Sequence, residues 1–304
     1  MYILLKRYGF KPILISLNTS NINIEFLKKN LCLKEINNYS TDLNESDFDF
    51  LIVNSDQVWA YNFVGILEIG FLSFAKNWNI TKIVYAASLG YEFWTNSSQI
   101  INSCKELIKQ FSGISVREYN SIGIINKYFG IKPQLVLDPT LLLDKSDYLE
   151  IIKDFSTDFD LKKNYICSYI LDESKIIQDY ILNVSNQYNL IIIPIKVGIK
   201  NFIEKFIFSI NICKSIITDS YHGTVFSIIF NKPFITFINT KRGNARFFSL
   251  NQTFQLNNRF IYPKKFDNKE YELLLKAPNI DKIKLNVLKE KSLKFLKENL
   301  GINR

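Results

Sequence analysis

Histidine occurs once in this 304-residue chain, at position 222, and methionine only at position 1. A single imidazole excludes histidine-clustered metal centres and leaves one side chain for histidine acid–base chemistry. Cys32, Cys104, Cys167 and Cys213 are isolated, with no CxxC pair and no histidine at ligand spacing. That pattern argues against a zinc site and a disulfide framework, so reduced, buried cysteines are expected. The chain has no GxGxxG fingerprint, no Walker loop and no GxSxG elbow, which leaves the common cofactor, nucleotide and nucleophile devices without support. Apolar runs are short as well. The opening MYILLKRYGFKPILISLN is cut by Lys6, Arg7 and Lys11 and lacks a signal-peptide cleavage site. No stretch approaches the roughly 18–20 apolar residues that cross a bilayer, so a cytoplasmic protein is expected.

What is present is ordinary globular composition, 47% hydrophobic and 22% charged, enough for one large or two medium domains. The net charge is +9, but acidic residues are interspersed with the basic ones. The densest basic run, Lys282 to Arg304, reads as the solvated face of an amphipathic terminal helix. Contact with an anionic membrane surface or a polyanionic substrate is the sharper alternative for 282–304. No nucleic-acid module accompanies the charge, so nucleic acid is not an expected partner.

The runs LIVN, IVYAA, LIIIPI and SIITD are nearly continuous in apolar or β-branched residues, as parallel strands covered on both faces are. Strands are predicted at 12–17, 50–54, 82–88, 113–117, 134–138, 165–170, 190–195, 215–218 and 234–238. Helical patterns lie between them at 98–111, 118–129, 146–155, 174–187 and 202–211, with Ser98 and Ser146 as N-cap candidates. The alternation predicts an α/β protein with parallel sheets. Asp138-Pro139 should stop a strand, and the β–α pattern restarts after it. The chain therefore divides into an N-terminal α/β domain, 1–145, and a C-terminal α/β domain, 146–304, that ends in the amphipathic helix.

Four segments could carry chemistry. In KSIITDSYHGTVFSIIF a strand runs into a helix whose cap is Asp219 or Ser220 and whose first turn holds His222 and Gly223. Free N–H groups at a helix start favour a bound anion, and the end of a strand in an open sheet is where ligands bind. In DFLIVNSDQVW, Ser55, Asp56 and Gln57 follow a strand, and Asp56 suits proton transfer or sugar hydroxyls. Trp59 reads equally as a flat sugar platform or a core side chain. Ser88 and Gly90 end IVYAASLG, while Arg117 ends GISVR, placed either to grip a carboxylate or phosphate or to pair with Glu118. NTKRGNARFFSL supplies Lys241, Arg242 and Arg246 on an expected mobile basic loop, suited to closing over an anion or simply solvated.

These segments, with VLDPTLLL, appear in an order that resembles the polysaccharide pyruvyl transferase family over residues 47–250. The resemblance implies two Rossmann-like domains facing a cleft, as in GT-B glycosyltransferases. It implies transfer of a pyruvyl group from phosphoenolpyruvate to two hydroxyls of a glycan or lipid-linked sugar, with no cofactor and no metal. His222 would be the acid/base, Arg117 would hold the donor and Asp56 would contact acceptor or donor. Ser55, Gln57, Trp59, Ser88, Gly90, Ser220, Gly223, Arg242 and Arg246 would line the substrates. Some members carry an arginine where this chain has Tyr221 directly before His222, so Arg246 or Arg242 would take its place. Against the family pattern the chain starts late, so the first domain is expected to lack its first strand. A nucleotide-sugar glycosyltransferase or a non-catalytic glycan-binding member are the competing readings.

Overall fold

The computed structural model describes residues 13–17, 26, 28–29, 32–60, 67–263 and 268–302. Strands β1 (Ile13–Leu17) and β2 (Cys32–Ile36) pair in parallel by themselves. The expectation about a missing first strand bears on the segment at and before residues 1–12, outside the described residues. Strands β3 (Phe50–Val53), β4 (Thr81–Ala87), β5 (Gly113–Val116) and β6 (Gln134–Leu135) form a parallel sheet in chain order. A second parallel sheet contains β7 (Tyr165–Tyr169), β8 (Ile191–Pro194), β9 (Ser215–Thr218), β10 (Phe234–Phe237) and β11 (Phe260–Ile261). Its order is β8-β7-β9-β10-β11. Every residue of β7, β9 and β10 is buried, which is why these strands read as unbroken apolar runs.

Besides two short helical turns at Leu67–Gly70 and Asn268–Glu272, the helices described are α1 (Ser98–Ile108), α2 (Tyr119–Phe129), α3 (Lys145–Ile151), α4 (Lys175–Tyr188), α5 (Phe202–Ile212), α6 (Tyr221–Ile229), α7 (Ala245–Phe254) and α8 (Lys282–Asn299). Local chemistry sets their ends. Ser97, not Ser98, caps α1 by accepting from the Ile100 amide. Asp144 and Asp147 form a capping box at α3, so Ser146 lies inside the first turn. Gly130 ends α2 in the left-handed conformation. Strand β6 stops at Leu135, earlier than predicted, because Asp138 instead caps a 3-10 turn over Pro139–Leu142.

Three apolar clusters hold the layers together. One lies on the far face of the first sheet, around Trp59, Phe71, Val84 and Ile108. Another covers the outer face of the second sheet, around Tyr180, Ile217 and Phe237. The largest joins Ile83, Tyr85 and Leu137 of the first half to Ile216, Phe226 and Phe247 of the second. Phe295 and Leu296 of α8 belong to this shared cluster, and each such side chain contributes about 1.5–3 kcal/mol on full burial. Helix α8 thus lies against the first sheet: Ser292 Oγ accepts from the Leu137 amide at 2.9 Å, and Tyr85 and Phe295 rings sit 6.2 Å apart. Two of its lysines are used internally, Lys289 on Asp144 and Lys284 on the Thr253 carbonyl at 2.6 Å. Among the described residues no helix is long and apolar enough to cross a membrane.

Candidate active site

The site is built from strand ends. In the second sheet the chain goes from β7 outward to β8 and then returns to β9 on the other side. Ligands bind outside the carboxyl ends of strands at such a reversal, and His222 sits there, in the first turn of α6 after β9. Ser220 caps α6, its hydroxyl accepting from the Gly223 amide at 3.4 Å. Its side chain is therefore committed to the helix. Gly223 passes so close to Thr218 that a Cβ would collide with the threonine hydroxyl, so glycine here lets the helix start hug the strand.

The first sheet supplies the opposite wall. Register shifts between Val84 and Ala87, and Ala86 takes a positive φ of 55°. Ser115 Oγ mends the ladder, accepting from Ala86 N and donating to the Val84 carbonyl, both at 3.0 Å. This bulge re-aims the strand end, and Ala87 then bridges to Asp56. Asp56 itself has φ 110°, a conformation non-glycine residues avoid, at a cost of order 1–3 kcal/mol. It is held by the Ser88 amide on its carbonyl at 2.9 Å.

Arg117 is the hub. Its side chain is 1% exposed, and its Nη1 donates to Asp138 at 2.6 Å and to Ser55 Oγ at 3.0 Å. Nε reaches Glu118 and Nη2 reaches Asp56, each at 3.3 Å. Burial alone would lower the guanidinium's pKa, but Tyr221 and the surrounding carboxylates drive it higher. Asp138 responds in kind: burial would raise its carboxyl, yet Arg117, His222 and two bonds from Thr140 hold it far below the carboxylate range. Sequence reasoning named Arg117 and missed Asp138 as a site residue. Its signal was the aspartate of VLDP, at the end of the strand predicted at 134–138.

Asp56 is the exposed member, with 65% of its side chain open to the cleft. Partial burial pushes its carboxyl up, and Arg117 and His222 bring it below the usual value. His222 is partly buried and its imidazole makes no hydrogen bond among the described residues. Withdrawal from water lowers its pKa; Asp138 and Asp56 act to raise it, Arg117 and Arg246 to lower it further. These couplings bring His222, Asp56, Asp138, Arg117 and Arg246 into one field. The Tyr221 ring meets both guanidiniums, 4.6 Å from Arg117 and 5.4 Å from Arg246.

Other expected site residues take different places. Trp59 is fully buried, its ring 4.5 Å from Phe71 and its Nε1 donating to the Gly70 carbonyl. It is a core side chain and offers no face to a sugar. Ser88 is buried, and its hydroxyl has no partner among the described residues. Cys32 is exposed, unlike the other cysteines.

The basic loop is not loose. It forms a 3-10 turn, Thr240–Arg242, and then α7, because Ala245, Phe247, Leu250 and Phe254 bury into the core. Arg242 is occupied by Asp172, Nε to Oδ2 at 2.7 Å and Nη2 to Oδ1 at 3.1 Å; those bonds, with Asn239, hold Asp172 at about 2. The loop also docks across the cleft. Gln57 Nε2 donates to the Arg242 carbonyl at 3.1 Å and the Tyr91 hydroxyl to that of Lys241 at 3.3 Å.

Gly243, at φ 87°, lies so close that a Cβ would strike the Gly90 carbonyl. Gly243→Ala should therefore cost about 1–3 kcal/mol in urea unfolding. Unchanged stability would disprove that close approach. Among the described residues no group of three His, Cys, Asp or Glu is placed to hold a metal ion.

Known proteins place this architecture. UDP-GlcNAc 2-epimerase from Neisseria meningitidis, bound to UDP-GlcNAc, superposes with TM-score 0.59 at 11% identity, covering 98% of this chain and 94% of that one. UDP-GlcNAc 2-epimerase from Methanocaldococcus jannaschii gives 0.58 at 14% identity, covering 93% and 91%. At these identities the likeness shows the fold, GT-B-like with two parallel-sheet domains. No curated protein matches the chain. Residues 2–242 match the family described as polysaccharide pyruvyl transferase. With strand-end motifs, cleft and sequence pattern in agreement, the chain belongs to the polysaccharide pyruvyl transferase family.

Proposed function

We propose that the protein transfers the pyruvyl group of phosphoenolpyruvate to two hydroxyls of a sugar in a cell-surface polysaccharide or its lipid-linked precursor. The observation that carries this reading is an imidazole that makes no hydrogen bond among the described residues and feels the charge of the exposed Asp56 carboxylate. An acid/base residue needs its ring nitrogen free for the reacting group. In the proposed sequence the His222 imidazolium gives its proton to the methylene carbon of the enol, and C2 becomes oxocarbenium-like. The first sugar oxygen adds to C2 and gives up its proton, with Asp56 nearby to orient or accept. The C2–O bond to phosphate then breaks, and the second hydroxyl adds to C2. Two hydroxyl protons are released for the one consumed at the methyl, and the other leaves with hydrogen phosphate.

The lowered pKa of His222 fits this order. In the free site this direction favours the neutral imidazole, and a bound anionic donor would offset the arginine field and load the proton. Incubation with phosphoenolpyruvate and a panel of sugar acceptors should release phosphate only when an acceptor is present. Stabilisation by nucleotide sugars and none by phosphoenolpyruvate would favour glycosyl transfer instead; glycan binding without turnover would make it a non-catalytic member.

A further inference from the structure

We propose that Arg246 is the residue that binds the oxyanion of the donor, and that Arg117, which the family resemblance casts in that role, instead positions Asp56 and Tyr221. The inference rests on the pyruvyl-transfer reading for the donor's identity, and on the side chains themselves for the division of labour. The two guanidiniums meet one tyrosine ring and differ in what they hold. Arg117 has committed Nε, Nη1 and Nη2 to Glu118, Asp138, Ser55 and Asp56. A ligand oxyanion there would have to displace a carboxylate already in place, or add a negative charge to a site crowded with them.

Arg246 is 7% exposed, yet forms no ion pair among the described residues. Its Nη2 donates to the Arg242 carbonyl at 2.8 Å, which anchors the fork, and its Nε is buried without a partner. A buried donor left unmatched is costly, and a buried unpaired cation more so. The burial is consistent with a depressed guanidinium pKa, to which Arg117 adds. Arg246 also stands in the first turn of the ten-residue helix α7, whose positive end favours the same ligand. The same Tyr221 ring lies 5.4 Å from the Arg246 guanidinium and 5.4 Å from the His222 ring. An oxyanion here would satisfy the orphaned Nε and sit beside the acid that acts on the donor. Arg242, clamped by Asp172, contributes only its carbonyl.

The test measures binding separately from turnover. At constant pH near neutrality, calorimetry and thermal shift are run with phosphoenolpyruvate, inorganic phosphate and pyruvate on wild type, Arg246→Gln and Arg246→Lys. Phosphoenolpyruvate affinity should fall on the order of 10–100-fold in Arg246→Gln, with a smaller loss in Arg246→Lys. The ligand-free Arg246→Gln protein should be at least as stable as wild type, because an uncompensated charge has been removed. A structural arginine would give the opposite. The phosphate and pyruvate arms tell which end of the donor the residue holds.

Undiminished phosphoenolpyruvate binding in folded Arg246→Gln overturns the proposal. Should that variant not fold, the Nε–H resonance of Arg246 in the wild type, identified by its loss in Arg246→Lys, decides. Movement on saturation with phosphoenolpyruvate supports the assignment, and no movement refutes it. Arg246-dependent binding without phosphate release in any acceptor assay would leave the assignment standing while the transfer reading failed.

Discussion

His222→Ala is expected to lower acceptor-dependent phosphate release by at least 10²–10⁴-fold, the usual worth of a positioned acid/base, while binding of phosphoenolpyruvate survives. No other imidazole exists to substitute for it. The same uniqueness makes the mechanism measurable, since the untagged protein has one histidine ring-proton signal to follow through a pH titration. Its midpoint should lie below the unperturbed value of about 6.5, given the direction of its shift, and should rise when phosphoenolpyruvate is added. Linkage fixes the sign for stability. A histidine with a lowered folded pKa leaves the unfolded state holding more protons, so its contribution is intact above about pH 6.5 and is lost as pH falls below it. Full activity in His222→Ala, or a midpoint that stays put when donor binds, would end the case for this residue as the proton donor.

Asp138→Asn is expected to destabilise the fold by about 3–5 kcal/mol, because it removes the nearest counter-charge of a buried guanidinium. The 2.6 Å contact with Arg117 and the bonds from Ser55 and Thr140 all end on this carboxylate. Urea unfolding at neutral pH reads the loss. Asp138 has a depressed folded pKa, so its contribution is complete above the unfolded value of about 3.9 and is lost as pH falls toward the folded one. Wild type and variant should therefore converge in acid. The variant should also push the His222 midpoint lower, since Asp138 is the largest influence raising it. A loss under about 1 kcal/mol would mean that Glu118 and Asp56 suffice for Arg117.

The strands that read most clearly in the sequence were those buried on both faces. SIIT was bounded to the residue and FITFI to within one, because continuous apolar character needs no partner to be visible. Strands β2 and β11 left no such signal: CLKEI is interrupted by Lys34 and Glu35, and β11 has two residues. Helix α7 was read as a loop because Lys241, Arg242 and Gly243 dominate its approach, while the burial of Arg246 beside Phe247 is decided by the tertiary structure. His222, Asp56 and Arg117 were legible as strand-end residues, since the parallel sheet itself collects such positions on one edge. Of what Arg117 holds, only the adjacent Glu118 was legible. Pairing depends on which carboxylates the fold brings within 3.3 Å, and two of the three lie far from it in sequence. Trp59 was ambiguous for the same reason, its composition suiting either side of a sheet.

The arrangement of α8 and the basic loop has a consequence for how a sugar gains access. The molecule is a book whose spine is Lys282–Asn299, glued by the shared apolar cluster. Its fore-edge is clipped by two hydrogen bonds, from Gln57 and Tyr91, and by the close passage of Gly90 and Gly243. Each hydrogen bond is worth only about 0.5–1.5 kcal/mol net. Deeper in, Ser249 of α7 bonds to the backbone of Arg117 and Tyr119, so the clip can part at its edge while Arg246, on the same helix, keeps a fixed place.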